Sequence, residues 1–194
     1  MLLKSALGGL SVAIMVVAYA IYLRQAAAHG IQPHPFSWFL WGLVTGVAYL
    51  VQVAEHGGAG SWVVGLTALS CFVIGGFSLL RHRWQFHWFD WASVGVGLLV
   101  LTYYLAARNA TESAVLATTT DVIGYGSTIR KGWAEPERDS ATSFALNSAK
   151  FVPALFALES RSVATCLYPA TLVVMNAFVA AMLFWRRRQL RARS

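Results

Sequence analysis

Apolar residues fall into seven stretches along the chain, at about residues 5 to 23, 37 to 54, 61 to 80, 90 to 107, 112 to 130, 141 to 158 and 162 to 185. Most approach the ~17 to 25 residues that a bilayer-spanning helix needs, so the pattern predicts seven transmembrane helices. The fourth is the weakest and starts at Asp90. The first runs from Lys4 through Tyr19 and Tyr22 into Arg24 without a polar cleavage region, and it reads as a retained helix rather than a signal peptide.

The apolar pattern is broken most sharply between Glu112 and Glu159, where two segments flank the polar loop STIRKGWAEPERDS. Each segment carries one ionisable residue near its centre. Asp121 stands nine residues before Arg130, about 13 Å along a helix, and Lys150 lies ten residues beyond Ser140. An acid and a base at matching depth on adjacent helices are costly in a bilayer and point to a functional site. Residues three, four and seven apart share a helix face. Thr118, Asp121, Tyr125 and Thr128 therefore make a polar stripe on the fifth segment, and Ser143, Asn147 and Lys150 make one on the sixth. Asn176, ten residues before Arg186 on the seventh, falls at the same level.

Composition turns the pattern into a class. Of 194 residues 57% are hydrophobic and only 12% charged, against roughly 25% charged in a soluble domain. The formal net charge of +7 would suggest nucleic acid in a soluble chain, but here the basic residues gather at segment ends and in the terminal RRRQLRARS. That placement fits orientation and lipid headgroups instead. One side collects Arg24, Arg81, Arg83, Arg130, Lys131, Arg138, Arg186, Arg187, Arg188, Arg191 and Arg193, and the other only Lys4, Arg108 and Arg161. The positive-inside rule then places the N-terminus outside and the C-terminus in the cytoplasm. Trp38, Trp84, Trp88 and Trp133 lie where interfacial anchors belong. Cys71 and Cys166 sit singly in apolar segments and read as packing residues.

A shift of 106 residues lays the first half on the second, pairing Tyr19 with Tyr125, Arg24 with Arg130, Ser37 with Ser143 and Trp38 with Phe144. Each half reads as helix, basic loop with proline, helix, short loop, helix, basic end. The expected architecture is an all-α polytopic membrane protein of two parallel three-helix repeats joined by a linker helix. Its parts are a first triple-helix bundle at 1–83, a linker helix at 84–111, a second bundle at 112–188 and a basic cytoplasmic tail at 189–194.

The basic loop after the first helix of each half, followed by a serine and an aromatic residue, resembles the PQ-loop superfamily, which includes the SWEET sugar facilitators. The motifs PHPFSWFLWGLVTGVAYL (Pro33 to Leu50), Asp121 to Lys131 and LYPATLVVMNAFVAAMLFWRRR (Leu167 to Arg188) are more closely similar to an uncharacterised bacterial family of seven-helix membrane proteins. The superfamily resemblance implies two triple-helix bundles around a central route that rocks between inward-open and outward-open states. The closer resemblance to the bacterial family implies a bacterial inner-membrane location. The chain departs from the superfamily where helix-bending prolines would stand, with Ile21 and Tyr22 in the first half and Ser127 and Thr128 in the second; Pro153 and Pro169 lie in the sixth and seventh segments instead.

At the repeat equivalents of the charged positions stand Met15, Val44 and Ser70, so the charges are confined to the second half. The first half supplies Trp41, Thr45, Tyr49 and Gln52 on its second helix, with Thr67, Ser70 and Cys71 on its third. A ligand between the halves would meet aromatic and hydroxyl groups on one side and ionic groups on the other, which suits a small polar or zwitterionic solute better than a lipid. Two roles remain open for the charged residues. Asp121 and Lys150 form an ion pair capped by Asn176 that fixes helix packing, or they bind a solute or couple to a proton.

The histidines, including His34 and those of HRWQFH, lack metal spacing, and Glu55, Glu159 and the acids of WAEPERDS read as solvated ends and turns. No nucleophile and base pair, phosphate loop or cofactor motif occurs, so no enzyme activity, metal or cofactor is expected. The expected partners are a small-molecule solute and the lipid bilayer, with no nucleic acid and with room for a homo-oligomer. Two functions follow, a transporter working by alternating access, or a receptor or accessory membrane protein on the same fold that moves no solute.

Overall fold

A computed structural model describes residues 1–29, 34–81, 83 and 86–192. Pro33, His82, Trp84 and Arg193 lie outside the described residues, as do the side chains of His29, Ser127 and Arg138. The described chain is all-helical, with α1 at Leu2–His29, α2 at Pro35–Ala54, α3 at Trp62–Arg81, α4 at Trp88–Ala107, α5 at Ala110–Ala134, α6 at Ala141–Ala157 and α7 at Val163–Arg191. Short 3-10 turns occupy Gly58–Ser61 and Pro136–Arg138.

Local chemistry sets the helix starts. Pro35 opens α2, where its missing N–H is no loss. Asn109 accepts from the Glu112 amide at the head of α5, and Ser140 from the Ser143 amide at the head of α6. Ser162 and Thr165 form a reciprocal capping box on α7, the Thr165 amide donating to Ser162 Oγ and the Ser162 amide to Thr165 Oγ1. The expected loop STIRKGWAEPERDS is shorter than its polarity suggested. α5 continues through Lys131 and Trp133 to Ala134, leaving only Glu135 to Ser140 as the connection.

Among the described residues five helices, α1 to α4 and α7, are long and apolar enough to cross a bilayer, against the expected seven. α6 has 17 residues, about 26 Å of helix against a ~30 Å apolar core. α5 is long enough but carries Thr118, Thr119, Thr120 and Asp121 in mid-helix. Each turns part of its polar set inward, while Thr119 on α5 and Thr142 on α6 are exposed. Thr118 and Asp121 on α5 and Ser143 and Lys150 on α6 are all buried.

Packing places the helices around one interior. α3 lies along α2, and α7 touches both α5 and α6. Across the molecule α1 packs against α6 and α2 against α5, while α4 rests on α2 and α5. α2 and α6 begin 106 residues apart, at Pro35 and Ala141, and α1 and α5 end at His29 and Ala134. Val44, Val47 and Val51 of α2, Val63 and Val64 of α3, Phe151 of α6 and Val179 and Leu183 of α7 form the buried core.

One end of the helix cluster is tied by backbone contacts. The Glu159 amide donates to the Gly57 carbonyl at 3.1 Å, and Lys4 Nζ to the Leu158 carbonyl at 3.0 Å. Gly58 turns here with φ +63, a conformation that favours glycine. At Gly60 an added Cβ would stand 2.7 Å from both the Ala154 carbonyl oxygen and the Leu158 amide nitrogen, so the turn and α6 touch backbone to backbone. Gly60→Val is expected to lower stability by about 1 to 3 kcal/mol, as overpacking does. The thermal unfolding midpoint in detergent measures this, and an unchanged midpoint would show that the contact yields freely.

Candidate functional site

The interior encloses a cavity of about 300 Å³ lined from α1, α2, α3, α5, α6 and α7. That volume is at the lower end for ligand sites, enough for a small solute. Its inner part holds the two charged side chains that sequence had singled out. Asp121 is 3% exposed and Lys150 1% exposed, and both line the cavity.

The two charges do not pair. Among the described residues no salt bridge or hydrogen bond joins Asp121 to Lys150, which tells against the ion pair, one of the two roles left open by the sequence. The Lys150 side chain instead reaches across to α3 and α1. Its ammonium donates to Thr67 Oγ1 on α3 at 3.0 Å and to the Tyr19 hydroxyl on α1 at 3.5 Å. It also lies 4.7 Å from the Tyr19 ring centroid and 4.8 Å from that of Phe151. Ring faces attract a desolvated cation, and this explains how an amine sits here without a carboxylate.

Asp121 has no such support. Its Oδ2 is buried without a hydrogen-bond partner, and so is Asn147 Oδ1 one turn before Lys150. An unmet buried acceptor is costly, more so when it is charged. Asn176 does not cap the charges either, because its amide donates to the Leu172 carbonyl on its own helix at 2.8 Å. It faces the Tyr125 hydroxyl.

Aromatic residues wall the rest. Trp38 lies 5.2 Å from Tyr22 and 5.5 Å from Trp41 between ring centroids, in tilted and edge-on arrangements. Trp38 is buried in this cluster rather than anchored at an interface, whereas Trp88 and Trp133 are exposed as expected. Gly124, one turn from Asp121, leaves the room in which the Trp41 indole nitrogen approaches α5.

The cavity is shut at one end and reaches the basic residues at the other. The shut end is sealed by Thr45, whose hydroxyl shares a 2.7 Å hydrogen bond with that of Tyr168, and then by Gln52, which donates to the Thr165 carbonyl at 2.7 Å. Both contacts tie α2 to α7. Towards the opposite end the lining passes Thr128 and Ser143 to His34, Lys131 and Asp139. His34 stands 3.5 Å from Asp90, and Lys131 3.9 Å from Asp139. Burial pushes the Asp139 carboxyl above the usual carboxylate range, against the opposing pull of Lys131 and Arg187. Arg187 holds this connection to α7 by donating to the carbonyls of Pro136 and Asp139, so WAEPERDS is more than a solvated turn.

Of the residues expected at the site, Asp121, Lys150, Asn147, Asn176, Tyr125 and Trp41 line one cavity. Tyr49, Gln52 and Ser70 do not. Tyr49 packs over Gly65, Gln52 belongs to the seal, and Ser70 donates to its own helix at the Leu66 carbonyl. Tyr19, Tyr22, Trp38 and Tyr168 were missed as lining residues. The spacing of three between Tyr19 and Tyr22, and again between Trp38 and Trp41, was the available signal, because it puts each pair on one helix face. Cys71, read as packing, also borders the cavity. The described residues contain no cluster suited to a metal ion.

No protein-family model, curated protein or solved structure matches the chain.

Proposed function

We propose that this chain is a multi-pass membrane transporter that moves a small polar or zwitterionic solute by alternating access. The observation that carries the proposal is the cavity that runs from Asp121 and Lys150 at mid-depth to the basic end, closed on the far side by Thr45 with Tyr168 and Gln52 with Thr165. A site buried between helices and closed on one side only is what alternating access needs in one of its two states. With the basic side taken as cytoplasmic, the cavity is in its inward-facing state, the N-terminus is outside and the C-terminus inside, as in a bacterial inner-membrane protein.

The 3+1+3 reading is part of the proposal. It is supported by the 106-residue spacing of the α2 and α6 starts and by the reciprocal packing of α1 on α6 and α2 on α5, with α4 as the linker. In this reading α5 and α6 also cross the membrane, shielded by their neighbours. Resemblance to the PQ-loop superfamily agrees with this arrangement.

A second reading, a receptor or accessory protein that binds without moving solute, is favoured by one observation. Ile21, Tyr22, Ser127 and Thr128 stand where bending prolines would, although Pro153 and Pro169 lie within α6 and α7. Uptake into proteoliposomes containing the purified chain separates the two. Time-dependent accumulation of a solute from a panel of amino acids, sugars and vitamins is expected. Saturable binding without accumulation would select the receptor.

A further inference from the structure

An acid and an amine in one cavity, each with a hydrogen-bonding position unmet, constrain what fits between them. Asp121 offers a carboxylate oxygen with no donor, and Asn147 adds a second unmet acceptor from the neighbouring helix. Lys150 has three N–H groups, of which Thr67 and Tyr19 take two. A cationic ligand would satisfy Asp121 yet be repelled by Lys150. An anionic ligand would do the reverse, and a neutral polyol would leave both charges uncompensated. Only a ligand carrying both signs completes the set without adding net charge to a buried site.

We propose that the solute is an α-amino acid bound as its zwitterion. Its ammonium faces Asp121 and Asn147, its carboxylate faces the free proton of Lys150, and its side chain is aromatic or large and apolar. The side-chain preference comes from the wall of Tyr22, Trp38 and Trp41, whose ring contacts leave faces and edges toward the cavity. Such surfaces hold an apolar or aromatic group, with edge-on contact preferred between rings. This assignment rests on the transport reading above for its direction of travel, but the recognition itself requires only the cavity.

The test uses the full chain, purified in detergent for calorimetric titration and reconstituted in liposomes for uptake. The probes are L-phenylalanine, phenethylamine, 3-phenylpropionate and glucose. L-phenylalanine is expected to bind at least about tenfold more tightly than either single-charge analogue, a difference of about 1.4 kcal/mol, and glucose not at all. Asp121→Asn should erase the preference for L-phenylalanine over 3-phenylpropionate, and Lys150→Met its preference over phenethylamine. A fold-independent role for these residues is read from the switch in preference, which a merely unfolded variant does not produce. Binding of L-phenylalanine without uptake would keep the ligand class and overturn transport. Uptake of glucose or of a single-charge analogue in preference to L-phenylalanine would keep transport and overturn the ligand class. Neither binding nor uptake of any probe would overturn both.

Discussion

Asp121→Asn and Lys150→Met should each leave the thermal unfolding midpoint unchanged or raise it, while uptake of L-phenylalanine falls by about tenfold or more. Loss of function with retained or increased stability is the mark of a charge kept for a ligand. A bonded pair behaves otherwise, because removing one partner strands the other and costs ~3 to 5 kcal/mol. Here no such pair exists to break. Asp121 Oδ2 is already unmet, so asparagine removes a buried charge and exchanges that unmet oxygen for part of a neutral amide. Methionine at 150 surrenders the Thr67 hydrogen bond and the ring contacts with Tyr19 and Phe151, but it relieves the burial of an ammonium. The double variant should then show the sum of the two single effects within about 0.5 kcal/mol, as for independent sites. A single variant that unfolds while the double is rescued would restore the ion pair and remove the argument for a bridging ligand.

The second large effect concerns the seal. In a background of Cys71→Ala and Cys166→Ala that still transports, Gln52→Cys with Thr165→Cys places a thiol on each side of the α2 to α7 contact. Joining them with a short, reducible thiol cross-linker should abolish uptake and leave ligand binding from the basic side intact, and reduction should restore uptake. Gln52 reaches the Thr165 carbonyl across this gap, so the two positions are neighbours in the closed state. Alternating access needs α2 and α7 to part there. Uptake that continues through a completed cross-link would place the solute route elsewhere.

Much of this was legible along the chain because the signals are local. Apolar runs located the seven helices found among the described residues. The depth of Asp121, Lys150 and Asn176 followed from counting residues to the basic ends, and the three do share a cavity. What the Lys150 amine touches was not legible. Its side chain is long, and Thr67 and Tyr19 are 83 and 131 residues away, so no periodicity links them. Tyr49 and Gln52 failed for a different reason. They lie on the same stripe of α2 as Trp41 and Thr45, but the Thr45 to Tyr168 hydrogen bond ends the cavity, and everything further along the stripe is seal or packing. Helical spacing gives the face on which a residue stands and leaves open where along that face the space stops.

The packing of α1 on α6 has a bearing on how the protein is made. α1 finds its main neighbour only after Ala141 and the residues beyond it have been added. Until then α1 waits with Tyr19 facing no cation, and Lys150 on arrival completes the contact between α1 and α6. Assembly of the site therefore waits for α5 to α7, and a nascent chain halted after α4 would hold the Tyr19, Trp38, Trp41 and Thr67 side of the cavity without Asp121 and Lys150.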